Sequence, residues 1–198
     1  MSKGPSAAAV KRAVASLSKP ERALFLQRFF RTGPGEYAEG DKMLGLSVPE
    51  QRKIVLQFRD LPLIEIQKLL NSPFHEHRLI GLMMLVDQHR SGDPLLKKEL
   101  HRFYIKNLAS VNNWDLVDAS AATLMGEHIT GNAALLRRLT RSKNLWHRRV
   151  AIVSTFAELR AGRTALTFQV SEELLDDEHE LTRQPHVVAH RDTQHVAQ

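Results

Sequence analysis

The feature that most constrains this chain is a helical spacing of apolar residues, interrupted at short intervals by helix-stopping residues. Leu79, Leu82, Met83 and Val86 recur at steps of three and four, and so do Leu116, Val117, Ala121 and Leu124. Such spacing gathers apolar side chains on one side of an α-helix, whereas a half-buried strand needs strict alternation. No convincing alternating run occurs. Lys19-Pro20, Ser91-Gly92-Asp93-Pro94, Gly131-Asn132 and Ala161-Gly162 punctuate the pattern, as turn-forming pairs do. The spacing predicts helices over 6–17, 20–31, 63–70, 75–90, 95–108, 114–127, 133–140, 145–160 and 164–175. Another starts at Ser47, where Glu50 three residues on and Pro49 in the first turn make a capping-box signature. The fold class expected is all-α.

Helices of this length joined by short loops build either a bundle or a solenoid. A weak internal echo favours the solenoid. Placing Ser72–Ile80 over Lys143–Ala151, with Asn113–Ala119 in the same frame, aligns Phe74, Trp114 and Leu145, and also Arg78, Asp118 and Arg149. The spacing is in the range of HEAT-type helical pairs. In that reading residues 1–184 form one HEAT-like domain with a concave basic face lined by those three positions, the usual binding surface of a solenoid. Residues 185–198 read as a polar, poorly ordered tail.

Composition narrows the function classes. The formal net charge of +6 favours an acidic partner. With no cysteine, disulfides, thiolate catalysis and cysteine-based zinc sites are excluded. No apolar run reaches the roughly 18 residues that span a bilayer, and the N-terminus lacks a signal-sequence pattern. A soluble, cytoplasmic monomer without membrane contact is expected, nucleoid-associated if the source is bacterial.

The chemistry-bearing stretch is Asn112-Asn113-Trp114-Asp115-Leu116-Val117-Asp118. On a helix Trp114 and Asp118 share a face, pairing an aromatic ring with a carboxylate. Arg137, Arg138, Arg141, Lys143, Arg148 and Arg149 follow within thirteen residues and without an acid, a run that can track a phosphate backbone. Each part also has an ordinary reading. Asp118 can favour a helix N-terminus, Trp114 and Trp146 can be core, and the cations can be a solvated face. The loop from Gly33 to Gly40 lacks the Gly-Lys-Ser/Thr ending of a phosphate-binding loop. His75-Glu76-His77 and the His186/His190 pair lack a third ligand, so both are expected at the surface and no metal is expected.

Several segments resemble the DNA alkylation repair family, the AlkD-like DNA glycosylases built of HEAT-like repeats. They are Gly35-Glu36-Tyr37, Gly40–Pro49, Asn112–Asp118 and Asn144–Ile152. The resemblance runs from about Phe25 to Leu181. It implies an enzyme that hydrolyses the N-glycosidic bond of cationic N3- and N7-alkylated purines in double-stranded DNA without a cofactor. By resemblance, Asp118 is the catalytic carboxylate, Trp114 the aromatic against the deoxyribose, and Arg149 the arginine near the lesion's phosphate. Arg148 is an adjacent candidate, and Tyr37 falls about one residue from a cleft tyrosine. Arg78, Arg137, Arg138, Arg141 and Lys143 complete the expected DNA-binding set. The chain departs from the family at Ser47, where some members have glutamine, and in having no tryptophan after Trp146. A non-catalytic DNA-binding HEAT protein is therefore the alternative expectation.

Overall fold

The computed structural model describes residues 4–183; the predicted tail, with His186 and His190, lies outside them. Among the described residues the chain is helical, and one isolated bridge between Lys42 and Phe74 is its sole β pairing. The described residues fall into two compact units, which divide between Ser120 and Ala121.

In the first unit, α1 (Ala7–Ser16), α3 (Val48–Gln57), α4 (Leu63–Leu70) and α6 (Pro94–Lys106) pack around or beside α5 (His75–Ser91). This consecutive pairing of helices is consistent with a helical repeat. α5 is buried on almost every side, from His75 through Val86 with Met83 half-buried. The predicted apolar stripe is therefore only part of its contact surface. The helix ends follow their local chemistry. Ser47 Oγ accepts from the Glu50 N–H at 3.4 Å, and the Glu50 carboxylate accepts from the Ser47 N–H at 2.7 Å. Asp93 caps α6 through the N–H groups of Leu95 and Leu96. Tyr104, fully buried in α6, shares a 2.9 Å hydrogen bond with Ser120 near the end of this unit.

α2 (Pro20–Phe29) lies over a small cluster of Ala23, Phe30 and Met43, against which Leu26 and Trp114 pack. A loop over residues 31–46 then returns to the start of α5. The Lys42 N–H donates to the Pro73 carbonyl and the His75 N–H donates to the Lys42 carbonyl, at 3.1 and 2.8 Å. Buried Glu76 fastens the loop end by accepting from the N–H groups of Leu44 and Gly45. Gly45 has φ +88°, and a Cβ there would lie 2.3 Å from the Lys19 carbonyl oxygen. Only glycine meets both demands.

α7 (Trp114–Leu124) begins in the first unit and ends in the second. The helix predicted over 114–127 is interrupted after Leu124, and α8 (Gly126–Ile129) follows. Gly126 permits a close approach: a Cβ there would fall 2.2 Å from that of Ala157. In the second unit α9 (Ala133–Thr140) packs on α10 (Leu145–Ser154), which also meets α11 (Phe156–Arg160), α12 (Ala165–Glu173) and α13 (Glu180–Arg183). The predicted 145–160 helix is likewise broken, at Thr155. The Ser154 and Thr155 hydroxyls donate back to the Ala151 and Ile152 carbonyls, a competition that loosens the helical ladder.

Candidate active site

The first turn of α7 is placed by a buried chain of charges. His75 Nε2 lies 2.7 Å from Asp115 Oδ2, and His75 Nδ1 lies 3.1 Å from Asp41 Oδ2. Arg78 Nη2 then donates to both Asp41 oxygens at 2.7 Å, while its Nη1 donates to the Ser72 carbonyl. Side-chain exposure is 15% for Asp115 and 5% or less for the other three. Burial alone would strip the proton from His75. The two carboxylates outweigh it and push the imidazole up to about 9, so it is a cation at neutral pH. Burial likewise opposes ionisation of Asp41, but His75 and Arg78 hold its carboxyl below the usual range. With two cations and two anions the chain is neutral, the condition under which buried charges are tolerated.

The expectation that His75-Glu76-His77 is solvent-exposed is thus overturned: all three are buried. His77 shares a 2.8 Å hydrogen bond with Ser72, and burial, helped by Lys11 and Arg78, lowers it to about 4. His75 and Glu76 are tolerated here because residues distant in sequence supply their partners, whereas the partner of His77 is nearby Ser72.

Above the charges lies an aromatic stack. The Phe30 ring is 4.9 Å from His75 and 5.2 Å from Trp114, nearly parallel to the latter, and Phe29 meets Trp114 edge-on at 5.9 Å. Trp114 also hydrogen-bonds the Tyr37 phenol, whose pKa burial raises against the opposing influence of Arg31. The Arg31 guanidinium stands 5.9 Å from the Tyr37 ring centre, a cation–π contact. Arg31 adopts φ +50°, unusual for a side-chain-bearing residue. It terminates α2 where glycine would be easier.

Trp114 and Asp118 are four residues apart within α7 and half-buried, so ring and carboxylate lie along one side of that helix. The negative charge of Asp118 reaches the Tyr104 phenol, which burial foremost, then Asp118, shifts upward despite the Ser120 hydrogen bond. Trp114, Asp118 and Tyr37 therefore belong to one unit, together with His75, Asp41, Asp115 and Phe30, none of which the residue pattern assigned to the site. The only sequence signal for those four was that three are ionisable and sit within quoted motifs.

Arg78, expected on a binding face, is 4% exposed and engaged with Asp41. In the second unit Arg148 repeats its arrangement, donating to the Ser142 carbonyl at 2.9 Å and to Asp177. Ser72–His77 and Ser142–His147 are matching side-chain pairs at 2.8 and 3.1 Å. The internal echo therefore aligns Arg78 with Arg148, one position from the register that paired it with Arg149. Arg149 is 3% exposed and its guanidinium donates to the Leu181 carbonyl. Arg137, Arg138 and Lys143 are exposed, and exposed Arg141 meets Glu173 at 3.2 Å. Among the described residues no group of three or more His, Asp or Glu could hold a metal, and no helix is long and apolar enough to cross a membrane.

Comparison with known proteins identifies the class to which this helical fold belongs. The sequence matches the DNA alkylation repair enzyme family over residues 10–185. The chain belongs to that family, which carries a DNA repair role with DNA as substrate. A solved structure described as "Predicted DNA alkylation repair enzyme from Enterococcus faecalis" is similar, with a TM-score of 0.62 and 15% identity. The match covers 83% of this chain and 78% of that one, and at that identity it speaks to the fold. No curated protein matches.

Proposed function

We propose that this protein is a DNA glycosylase that releases cationic N3- and N7-alkylated purines from duplex DNA. An alkylated purine already carries positive charge and leaves readily. As the C1′–N bond breaks, its electron pair goes to the base and positive charge develops on the sugar. An ionised Asp118 stabilises that charge and orients the water that attacks C1′. Trp114 offers its π face to the cationic sugar and excludes bulk water, and Tyr37 borders the same ring. The exposed cations Arg137, Arg138 and Lys143, with Arg141, supply phosphate contacts.

The observation that carries this reading is the Trp114–Asp118 pair on one side of a helix whose first turn is fixed by Asp115, His75, Asp41 and Arg78. A chain of buried charges costs desolvation, so its use at this turn fits a role in pre-organising what the turn presents. The test separates binding from chemistry. Asp118→Asn is expected to bind methylated duplex as the wild type does while releasing no base. Equal release by both proteins would refute the role given to Asp118.

One observation favours a second reading, a DNA-binding protein without glycosylase activity. Arg149, assigned by resemblance to the lesion's phosphate, is buried and engaged with the Leu181 carbonyl. On this reading duplex binding is salt-dependent and no base is released by either protein.

A further inference from the structure

The exposed side of α2 is not used by the proposed chemistry. Leu24, Phe25 and Phe29 on this helix are 63%, 65% and 54% exposed. The rings of Phe25 and Phe29 stack on each other, with centres 6.3 Å apart and planes 16° apart. Phe29 in turn meets Trp114 edge-on. An aromatic ladder thus runs from a solvent-facing helix to the ring beside Asp118. Cations border it: Arg22, Arg28 and Arg31 lie on or next to the helix, which itself carries one acid, Glu21. Adjacent exposed aromatics of this kind are a surface that marks an interaction site. Aromatic rings interleaved with arginine are the combination that holds unstacked nucleobases, because every base offers a π face and its backbone brings a phosphate.

We infer that the Phe25–Phe29 face of α2 is a stacking platform for an unpaired DNA base next to the site of Trp114 and Asp118. The inference rests on DNA being the substrate but not on Asp118 being catalytic. Its occupant is an extrahelical or mispaired base on the strand that the protein engages. Charge complementarity and continuity with Trp114 select it over a second copy of the chain or a protein partner. Phe25 is the cleaner probe, since among the ring contacts it touches Phe29 and not Trp114.

The experiment compares two fluorescein-labelled DNA hairpin duplexes, one fully paired and one with a single unpaired adenine, by fluorescence anisotropy. Wild-type protein is expected to bind the bulged duplex about tenfold more tightly, the scale of one base stacked on an aromatic side chain. Phe25→Ala should lose most of that preference while binding the paired duplex within about twofold of wild type. Phe25→Trp should keep it, a rescue that a merely structural role would not give. Circular dichroism of each variant, unchanged from wild type, establishes that the fold persists at so exposed a position. Equal wild-type affinity for the two duplexes overturns the platform while leaving the DNA reading intact, and so does an undiminished preference in Phe25→Ala. Failure of the wild type to bind either duplex overturns both. A wild-type dimer in sedimentation that Phe25→Ala converts to monomer also overturns it, by assigning the face to a second copy.

Discussion

Replacing His75 by glutamine tests the charge chain that sets the first turn of α7. The imidazole rises from an ordinary 6.5 to about 9. A group whose pKa is raised by folding stabilises the native state fully below its unfolded value, and that contribution is lost as pH climbs through its folded value. The window here is therefore pH 6.5 to 9. A tenfold change in proton affinity is worth about 1.4 kcal/mol, so the protonated His75 contributes about 3 kcal/mol at pH 6. Glutamine keeps a neutral donor but cannot hold the charge that balances Asp41 and Asp115. His75→Gln should therefore be less stable than wild type by about 3 kcal/mol or more at pH 6. Urea denaturation of both proteins at pH 6, 7.5, 9 and 10 reads the difference and cancels titrations common to the two. The gap should shrink by about 1.4 kcal/mol for each pH unit across that window, then level off. A gap that stays constant from pH 6 to pH 10 would show that folding leaves the proton affinity of His75 unchanged, and the charge-chain account would fail.

Other perturbations follow from individual interactions. Gly45→Ala must place a Cβ against the Lys19 carbonyl at positive φ; thermal denaturation should show a loss of about 2 kcal/mol or more. Tyr104→Phe removes the hydroxyl bonded to Ser120, which still donates to the Leu116 carbonyl, so the cost by urea denaturation should be only about 1 kcal/mol. Charge reversal of exposed Arg137 and Arg138 should flatten the salt dependence of duplex binding, by about one in slope for each phosphate that is no longer neutralised. Asp118→Asn should leave that salt slope unchanged.

The helices were readable because their signals are local. The Ser47–Glu50 capping box, the Asp93 cap and the recurring leucines all act within a few residues. The interruptions at Met125 and Thr155 were not readable, because the tight Gly126–Ala157 approach and the back-bonding hydroxyls reveal themselves only in packing. The pairing of Trp114 with Asp118 followed from helical geometry alone. The surroundings of that pair did not. Asp41 and Asp115 lie 34 and 40 residues from His75 along the chain, and nothing local distinguishes a buried, neutralised histidine from an exposed one. The same ambiguity misplaced the internal echo by one residue, since Arg148 and Arg149 are adjacent and only the hydrogen bonds to Ser142 and Asp177 identify the counterpart of Arg78. Phe25 and Phe29 illustrate the converse. Phenylalanine ordinarily fills a core, yet both of these rings face solvent.

The central claim is that Asp118 performs hydrolysis of an alkylated purine nucleotide, and single-turnover release of 7-methylguanine from methylated duplex DNA tests it most directly. Wild-type protein should release the base well above the spontaneous depurination rate, and Asp118→Asn should be slower by about a hundredfold or more, the scale of losing one pre-organised electrostatic group. Release by the wild type no faster than spontaneous depurination, or release undiminished in Asp118→Asn, would contradict the account.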